Sequence, residues 1–431
     1  MLDQLLFGSG ILMLTVSLIL TVKSRFIQFR KLPEMFRLFF KKNEAGKDTI
    51  SARSALFTAM STTLGLSTMV APIIAIKLGG PGAVLGFFLA TIFGAAVSYT
   101  EVSFALTYRK KENGIIRGGP MQYLQEAISP FMAKWYAFFC CILMMVWSAA
   151  QSNQLAQLLA CKKICPLHIS PWVTGVGIAI LVFIILIGGI KRISSWSSKL
   201  VPTMFFLYLG GSLAIIFMNI PSLPSIFHMI WDSCWHPQTF GSGAAIGGVL
   251  SAFRWGIMKG LQGNEAGMGT QSIPHSMAEI DQATDQGILS MASTYCAGLI
   301  LIISSLVALI TQTWLDPTLS LGVEMVAASF YTYFSYVGLI LVSVCALLFA
   351  SGTILGNSFN GSQCFLYLTN YRGVTLYYLF TAAITFWGSI TGVSALWASI
   401  DFVLALVMVP HVLCILWLSF KKEASLVTTA S

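Results

Sequence analysis

Gly263-Asn264-Glu265-Ala266-Gly267-Met268-Gly269-Thr270 closes an apolar run that opens at Gly241. Three glycines, an amide and a carboxylic acid within eight residues do not continue a smooth lipid-facing helix. In hydrocarbon every backbone polar group has to be satisfied inside the protein. Unwound chain at membrane depth is therefore tolerated only in a protein interior or a wet cavity. The stretch reads as a helix broken inside the bilayer. Carbonyls freed by unwinding can coordinate a cation, and helix N-termini exposed at the break can hold a carboxylate. A second run has the same character, with Thr58, Ser61, Thr62, Thr63, Gly65, Ser67, Thr68 and Pro72 interrupting it. A third carries Ser351-Gly352-Thr353 and then Gly356-Asn357-Ser358-Phe359-Asn360-Gly361.

The rest of the chain agrees with a bilayer as solvent. Its 431 residues are 56% hydrophobic and only 10% charged, against about 25% charged in a soluble domain. A spanning helix needs roughly 20 apolar residues. Such runs fall at 5–22, 55–78, 83–107, 134–160, 172–189, 200–218, 241–261, 286–312, 335–368, 374–391 and 395–418, which predicts eleven spans. The first 22 residues lack the basic start and small-residue cleavage site of a signal peptide, so they read as a true span.

Loop charges test that count. Lys23–Arg53 holds nine Lys/Arg and Arg109–Arg117 four; Lys191, Arg192 and Lys199, then Arg372, then Lys421 and Lys422 follow. Eleven alternating spans place these nineteen on one side, against Lys77, Lys162 and Lys163 on the other. By the positive-inside rule the basic side is cytoplasmic, with the N-terminus outside and the C-terminus inside. The expected location is the bacterial inner membrane. The net charge of +9 reflects these loops and forms no nucleic-acid face. Residues 25–42 mix aromatics with cations and read either as an amphipathic piece on the inner interface or as a basic loop.

Breaks in the second and seventh runs stand five spans apart, as an inverted repeat would place them. The expected organisation is an N-terminal span (1–22), a basic interfacial segment (23–54), a five-helix repeat (55–218), an external loop (219–240), a second repeat (241–418) and a cytoplasmic tail (419–431). A solute site would lie at the midplane between the breaks. Small residues also promote tight helix packing, and for any single glycine packing is the stronger reading.

Polar residues in apolar runs are costly unless paired, so they either join helices or contact ligand. Gln151 and Asn153 fall in this class. Asn264 and Glu265 are either site-lining groups or a capped turn. Glu101 and Asp401 are functional candidates; either could pair with Lys77 or Arg254 or sit at a water interface. His275 and His411 read as structural, and Trp147 and Trp397 as packing or interfacial aromatics. Most of the nine cysteines lie in apolar runs as small hydrophobes. Cys161, Cys165 and Cys234 are the residues that could pair on the outer side.

The segment 263–275, ending Gln271-Ser272-Ile273-Pro274-His275, resembles the signature of the alanine/glycine:cation symporter family, roughly S-N-E-A-G-[ML]-G-S-A-P-I-A-H. Leu78-Gly79-Gly80-Pro81-Gly82-Ala83-Val84, Tyr99-Thr100-Glu101-Val102, Gly118-Gly119-Pro120-Met121, Trp172–Gly175, Ile187–Ile193, Lys199–Pro202, Thr353–Gly356 and Trp397–Asp401 are similar to further family motifs, in the same order. The resemblance runs from about residue 50 to 412. It implies an all-α fold of the leucine-transporter type, two inverted five-helix repeats after one extra N-terminal helix. It also implies Na+-coupled symport of small neutral amino acids by alternating access. On it, Ser67, Thr68, Gln151, Asn264, Gly267, Thr353 and Asn357 are expected to bind substrate, and Gly65, Thr68, Asn153 and Glu265 the cation. Two positions depart from the family: Thr68 stands where it typically has asparagine, and Asn357 where it has tryptophan. Thr68 loses an amide but keeps a hydroxyl that can accept from an ammonium or ligate Na+, Asn357 implies a larger, more polar pocket, and the two leave open a different polar amino acid or H+ coupling.

Other functions lack their residues. No H-E-x-x-H, G-x-S-x-G or paired aspartates mark a membrane enzyme. No repeated filter segment marks a channel, and no phosphate-binding loop an ATP-driven pump. No catalytic residue, cofactor or resident metal is expected; the expected partners are a small amino acid, lipid and Na+ or H+.

Overall fold

The computed structural model describes residues 2–41, 46, 49–112, 115–161, 168–235 and 248–421. Apolar runs become helices because helices satisfy their own backbone groups. The order is α1 (Leu2–Lys23), α2 (Ile27–Arg30), α3 (Leu32–Phe40), strand β1 (Ile50–Ser51), α4 (Ala52–Thr63), α5 (Leu66–Gly79) and α6 (Ala83–Thr107). A hairpin of β2 (Lys110–Glu112) and β3 (Ile115–Arg117) leads to α7 (Pro120–Ala127), α8 (Pro130–Ala160), α9 (Pro171–Leu186), α10 (Gly189–Met218) and α11 (Leu223–Trp235). Then come α12 (Gly248–Asn264), α13 (Ser272–His275), β4 (Ala278–Glu279), α14 (Ala283–Thr311), α15 (Val323–Leu368), α16 (Val374–Ile390) and α17 (Val393–Lys421).

Among the described residues, six helices are long and apolar enough to cross a membrane. The pair α4 and α5, bent by 41° at Leu64–Gly65, makes a seventh. Residues 8–23, α9 and α16 are shorter apolar helices. This is a polytopic helical membrane protein. Its outer faces carry exposed Trp172, Ile180, Phe206, Leu379 and Phe380, the side chains that lipid would cover.

The second and seventh runs break as expected. Leu64 and Gly65 separate α4 from α5, and residues 265–271 separate α12 from α13. The third interruption is corrected: α15 runs unbroken through Ser351–Gly361, and its only non-helical residue is Ser335 (φ 50°, ψ −134°). Its glycines serve close packing instead. A Cβ at Gly356 would lie 2.4 Å from Thr62 Cγ2, and one at Gly361 would collide with the Tyr377 hydroxyl. The start of the seventh run, 241–247, and the tail from 422 lie outside the described residues.

The basic segment folds as the amphipathic alternative. On α3, Met35 and Leu38 are buried while Phe36 and Phe40 are exposed. Lys31 Nζ pairs with Glu34 Oε2 at 2.9 Å. The thiols of Cys161 and Cys234 are free, and Cys165 lies outside the described residues.

The interior is built by the most intimate helix pairs: α15 on α8, α14 on α6, and α12 on α6. Gly256 sits so close to α6 that a Cβ would come 2.1 Å from the Ala83 carbonyl oxygen. At the end carrying the basic loops, β1 pairs in parallel with β4 (Ile50 with Ala278, Ser51 with Glu279). That pairing ties the chain entering α4 to the chain leaving α13. Arg109 Nη1 reinforces it, donating to the carbonyls of Ser276 (3.3 Å) and Ala278 (2.6 Å).

A cavity between two broken helices

The break in the second run is short because a side chain replaces what unwinding removes. Leu66 N, the first amide of α5, donates to Gln151 Oε1 on α8 at 3.0 Å. Thr68 turns back on the same turn, its hydroxyl donating to Gly65 O at 2.6 Å. Thr353 Oγ1 donates to Leu64 O at 3.3 Å. Gly65 has no space for a side chain, since a Cβ would lie 2.7 Å from Thr353 Oγ1 and 3.3 Å from Gln151 Oε1. Gly65, Thr68, Gln151 and Thr353 therefore meet at one point in the fold.

The second break is longer and needs left-handed backbone. Glu265 (φ 52°), Gly267 (φ 86°) and Gly269 (φ 78°) supply it. Glycine tolerates this region freely, whereas Glu265 needs its side chain held. Glu265 Oε2 accepts from Thr270 Oγ1 at 2.5 Å and from Thr62 Oγ1 at 3.2 Å. Asn264 spans the turn, its amide donating to Ala90 O (2.9 Å) and its Oδ1 accepting from Ala266 N (3.1 Å). Behind the loop, Glu101 Oε1 accepts from Gly269 N at 3.2 Å, and Tyr136 donates to Met268 O at 2.8 Å. His411 Nδ1 donates to Gly267 O at 2.8 Å, and its Nε2 accepts from the Tyr123 hydroxyl. The ring thus sits between a carbonyl and a phenol, with Glu101 Oε1 3.8 Å from Nδ1.

Between α5, α8, α12 and α17 lies a cavity of about 260 Å³. Leu66, Ser67, Gln151 and Gly263 form its floor at the breaks, and it extends past Trp147, Trp255 and Trp397 to Leu78 and Leu321 at the end opposite the basic loops. Its polar wall is Gln154, Lys259, Gln262 and Asp401. The α5 N-terminus lies at the floor, where the macrodipole favours an anion.

Of the expected substrate residues, Ser67 and Gln151 line this cavity, and Thr68 and Thr353 stand directly behind it. Four other expected residues lie off the cavity lining. Asn153 joins helices: its Nδ2 donates to Gly388 O (2.8 Å) and Thr391 O (2.6 Å) at the end of α16. Asn264 is consumed in bracing the turn. Gly267 faces Met13 of α1 and Val412. Asn357 is buried on α15 one helical turn from Thr353, and its amide has no hydrogen-bond partner among the described residues. Glu265 and Gly65 stay at the breaks, but Glu265 turns toward Thr62 and Thr270 rather than into the cavity.

Trp147 and Trp397 are cavity walls, not merely packing. Asp401 does not pair with Lys77, and the Arg254 side chain lies outside the described ones. Its Oδ1 accepts from Gln262 Nε2 (2.9 Å), with Lys259 Nζ 4.0 Å away, and Lys77 donates to Asp316 O instead. One signal pointed to Lys259: it precedes Gly263 by four residues, one helical turn, and so shares its face.

A profile described as the sodium:alanine symporter family matches residues 2–428. An uncharacterized transporter of Haemophilus influenzae is 32% identical over 96% of this chain and 92% of its own length. The sodium/alanine symporter AgcS of Methanococcus maripaludis is 31% identical over 95% of this chain and 91% of its own. Among solved structures, a manganese transporter of Eremococcus coleocola shares the fold at 13% identity and a TM-score of 0.58, covering 88% of this chain and 82% of that one. With two broken helices facing one cavity in a bundle of apolar spans, and with these relatives, the chain belongs to the sodium:alanine symporter family, a family of membrane transporters and not of enzymes.

Proposed function

We propose that the protein carries a small neutral amino acid together with Na+ across the bacterial inner membrane by alternating access. The observation that carries this is the cavity whose floor is the pair of helix breaks. The substrate carboxylate sits at the α5 N-terminus near Ser67, where backbone amides and the helix dipole favour it. Gln151 holds Leu66 N and fixes that floor. Thr353, Thr68 and the carbonyl of Leu64 offer Na+ hard oxygen donors of the kind such a cation takes. The relative from Methanococcus is named a sodium/alanine symporter, which supports this pairing of cargo and ion.

The five-plus-five repeat is the organisation this reading favours, with eleven spans and the basic loops inside. The cavity then opens outward, and the β1–β4 pairing with Arg109 closes the inner side. Purified protein in liposomes tests the reading. Labelled alanine accumulates under an inward Na+ gradient and ceases to when choline replaces Na+ at fixed pH. Accumulation that follows a pH gradient and ignores Na+ would replace the coupling ion with H+. No accumulation of any amino acid under either gradient would end the proposal.

A further inference from the structure

A small aliphatic amino acid does not explain the whole cavity. Its carboxylate is met at the floor, and its side chain needs only apolar wall. Yet one turn above Gly263, about 6 Å along the helix, the wall turns charged. Lys259 and Asp401 are 13% and 17% exposed, both inside apolar helices. Charges at such depth are expensive and mark function by default. They are not a close ion pair, because Nζ and Oδ1 stand 4.0 Å apart.

What joins them is a carboxamide. Gln262 Oε1 accepts from Lys259 Nζ at 2.9 Å, and Gln262 Nε2 donates to Asp401 Oδ1 at 2.9 Å. A cation meets the carbonyl end of the amide and an anion meets its NH2 end. The polarity of that seat suits an amide and no singly charged side chain. Trp397 carries Lys259 on its ring face, 5.4 Å from the centroid, which holds the ammonium in place. All four residues line the cavity. Its volume is about 260 Å³, against ~30 Å³ for one water in the liquid. A three-carbon amino acid leaves much of that unfilled.

We propose that Lys259 and Asp401 form a side-chain subsite for a carboxamide, and that Gln262 occupies it when no substrate is bound. The carried amino acids then include those ending in an amide, such as glutamine. The substrate amide takes the seat as Gln262 rotates away, while the amino-acid head stays at the α5 N-terminus. The subsite rests on the reading of this cavity as the substrate site.

Transport in liposomes tests it, with labelled alanine as the reporter and unlabelled glutamine or norleucine as competitor. Norleucine has glutamine's length without the amide. In the unaltered protein glutamine competes at least ten-fold better than norleucine, as expected for hydrogen bonds to charged groups. Lys259→Met and Asp401→Asn each shrink that ratio. Gln262→Ala empties the seat and enlarges it, an opposite sign that a general folding defect would not produce. If alanine accumulates and glutamine competes no better than norleucine, the subsite is wrong and the transport reading stands. If the Lys259 and Asp401 variants lose both competitors in step, the couple holds the amino-acid head, and the subsite is again wrong. If no alanine accumulates under any cation gradient, both readings fall.

Discussion

Gln151 and Asn153 are two residues apart on α8, and both are buried amides, yet they do different work. Gln151 accepts from Leu66 N at the cavity floor; Asn153 donates to the last carbonyls of α16. Gln151→Leu leaves a buried N–H without a partner, a cost of about 1–3 kcal/mol. We expect it to raise the apparent KM for alanine at least ten-fold, while Gln151→Glu, which keeps the acceptor, recovers part of the loss. Asn153→Ala is expected to lower thermal stability by a similar amount and to leave the alanine KM within about two-fold. A comparable change in KM for Asn153→Ala would show that the α16 contact shapes the cavity after all. Which amide does which was not readable from residue type, because both lie in one apolar run and differ only in the direction they face.

At the scale of elements, the breaks were legible and the packing was not. Polar clusters in the second and seventh runs marked real interruptions, since left-handed residues and unpaired amides need glycine and side-chain support. The same composition on α15 misled, because there the glycines admit Thr62 and Tyr377 to a continuous helix. Gly256 is the sharper case of such packing. Gly256→Ala drives a methyl into the Ala83 carbonyl of α6, and overpacking of this kind costs about 1–3 kcal/mol. Thermal unfolding in detergent should show it as a lowered midpoint with little change in cargo preference. The closure at the basic end is a second element-scale device. Arg109→Gln removes the donor to Ser276 O and Ala278 O that braces β4 against β1. Amide exchange across residues 49–63 and 272–280 should quicken. Unchanged exchange would mean that β1 and β4 hold the closure without Arg109.

For the molecule as a whole, the asymmetry of nineteen basic residues against three makes the topology testable. With eleven spans, a fluorescent protein fused after Ser431 lights up inside the cell, and a tag before Met1 is reached by impermeant reagents from outside. A tag and a fusion on the same side would mean an even number of spans and overturn the count of eleven. The cavity reaches the end opposite the basic loops, so the proposed orientation would make its open side face outward.

Composition and periodicity were enough to determine a helical membrane protein broken in two of its spans, because the bilayer penalises every unsatisfied backbone group and leaves few solutions. The motif at 263–275 carried the family, since glycines, Asn264 and Glu265 are demanded locally by the left-handed turn itself. The cavity wall was decided only by tertiary structure. Lys259 and Gln262 on α12 meet Asp401 and Trp397 on α17, about 140 residues away in sequence. No local pattern links them; the packing of α12 and α17 around one cavity does. That contact, rather than the broken helices, is where this chain would choose its cargo.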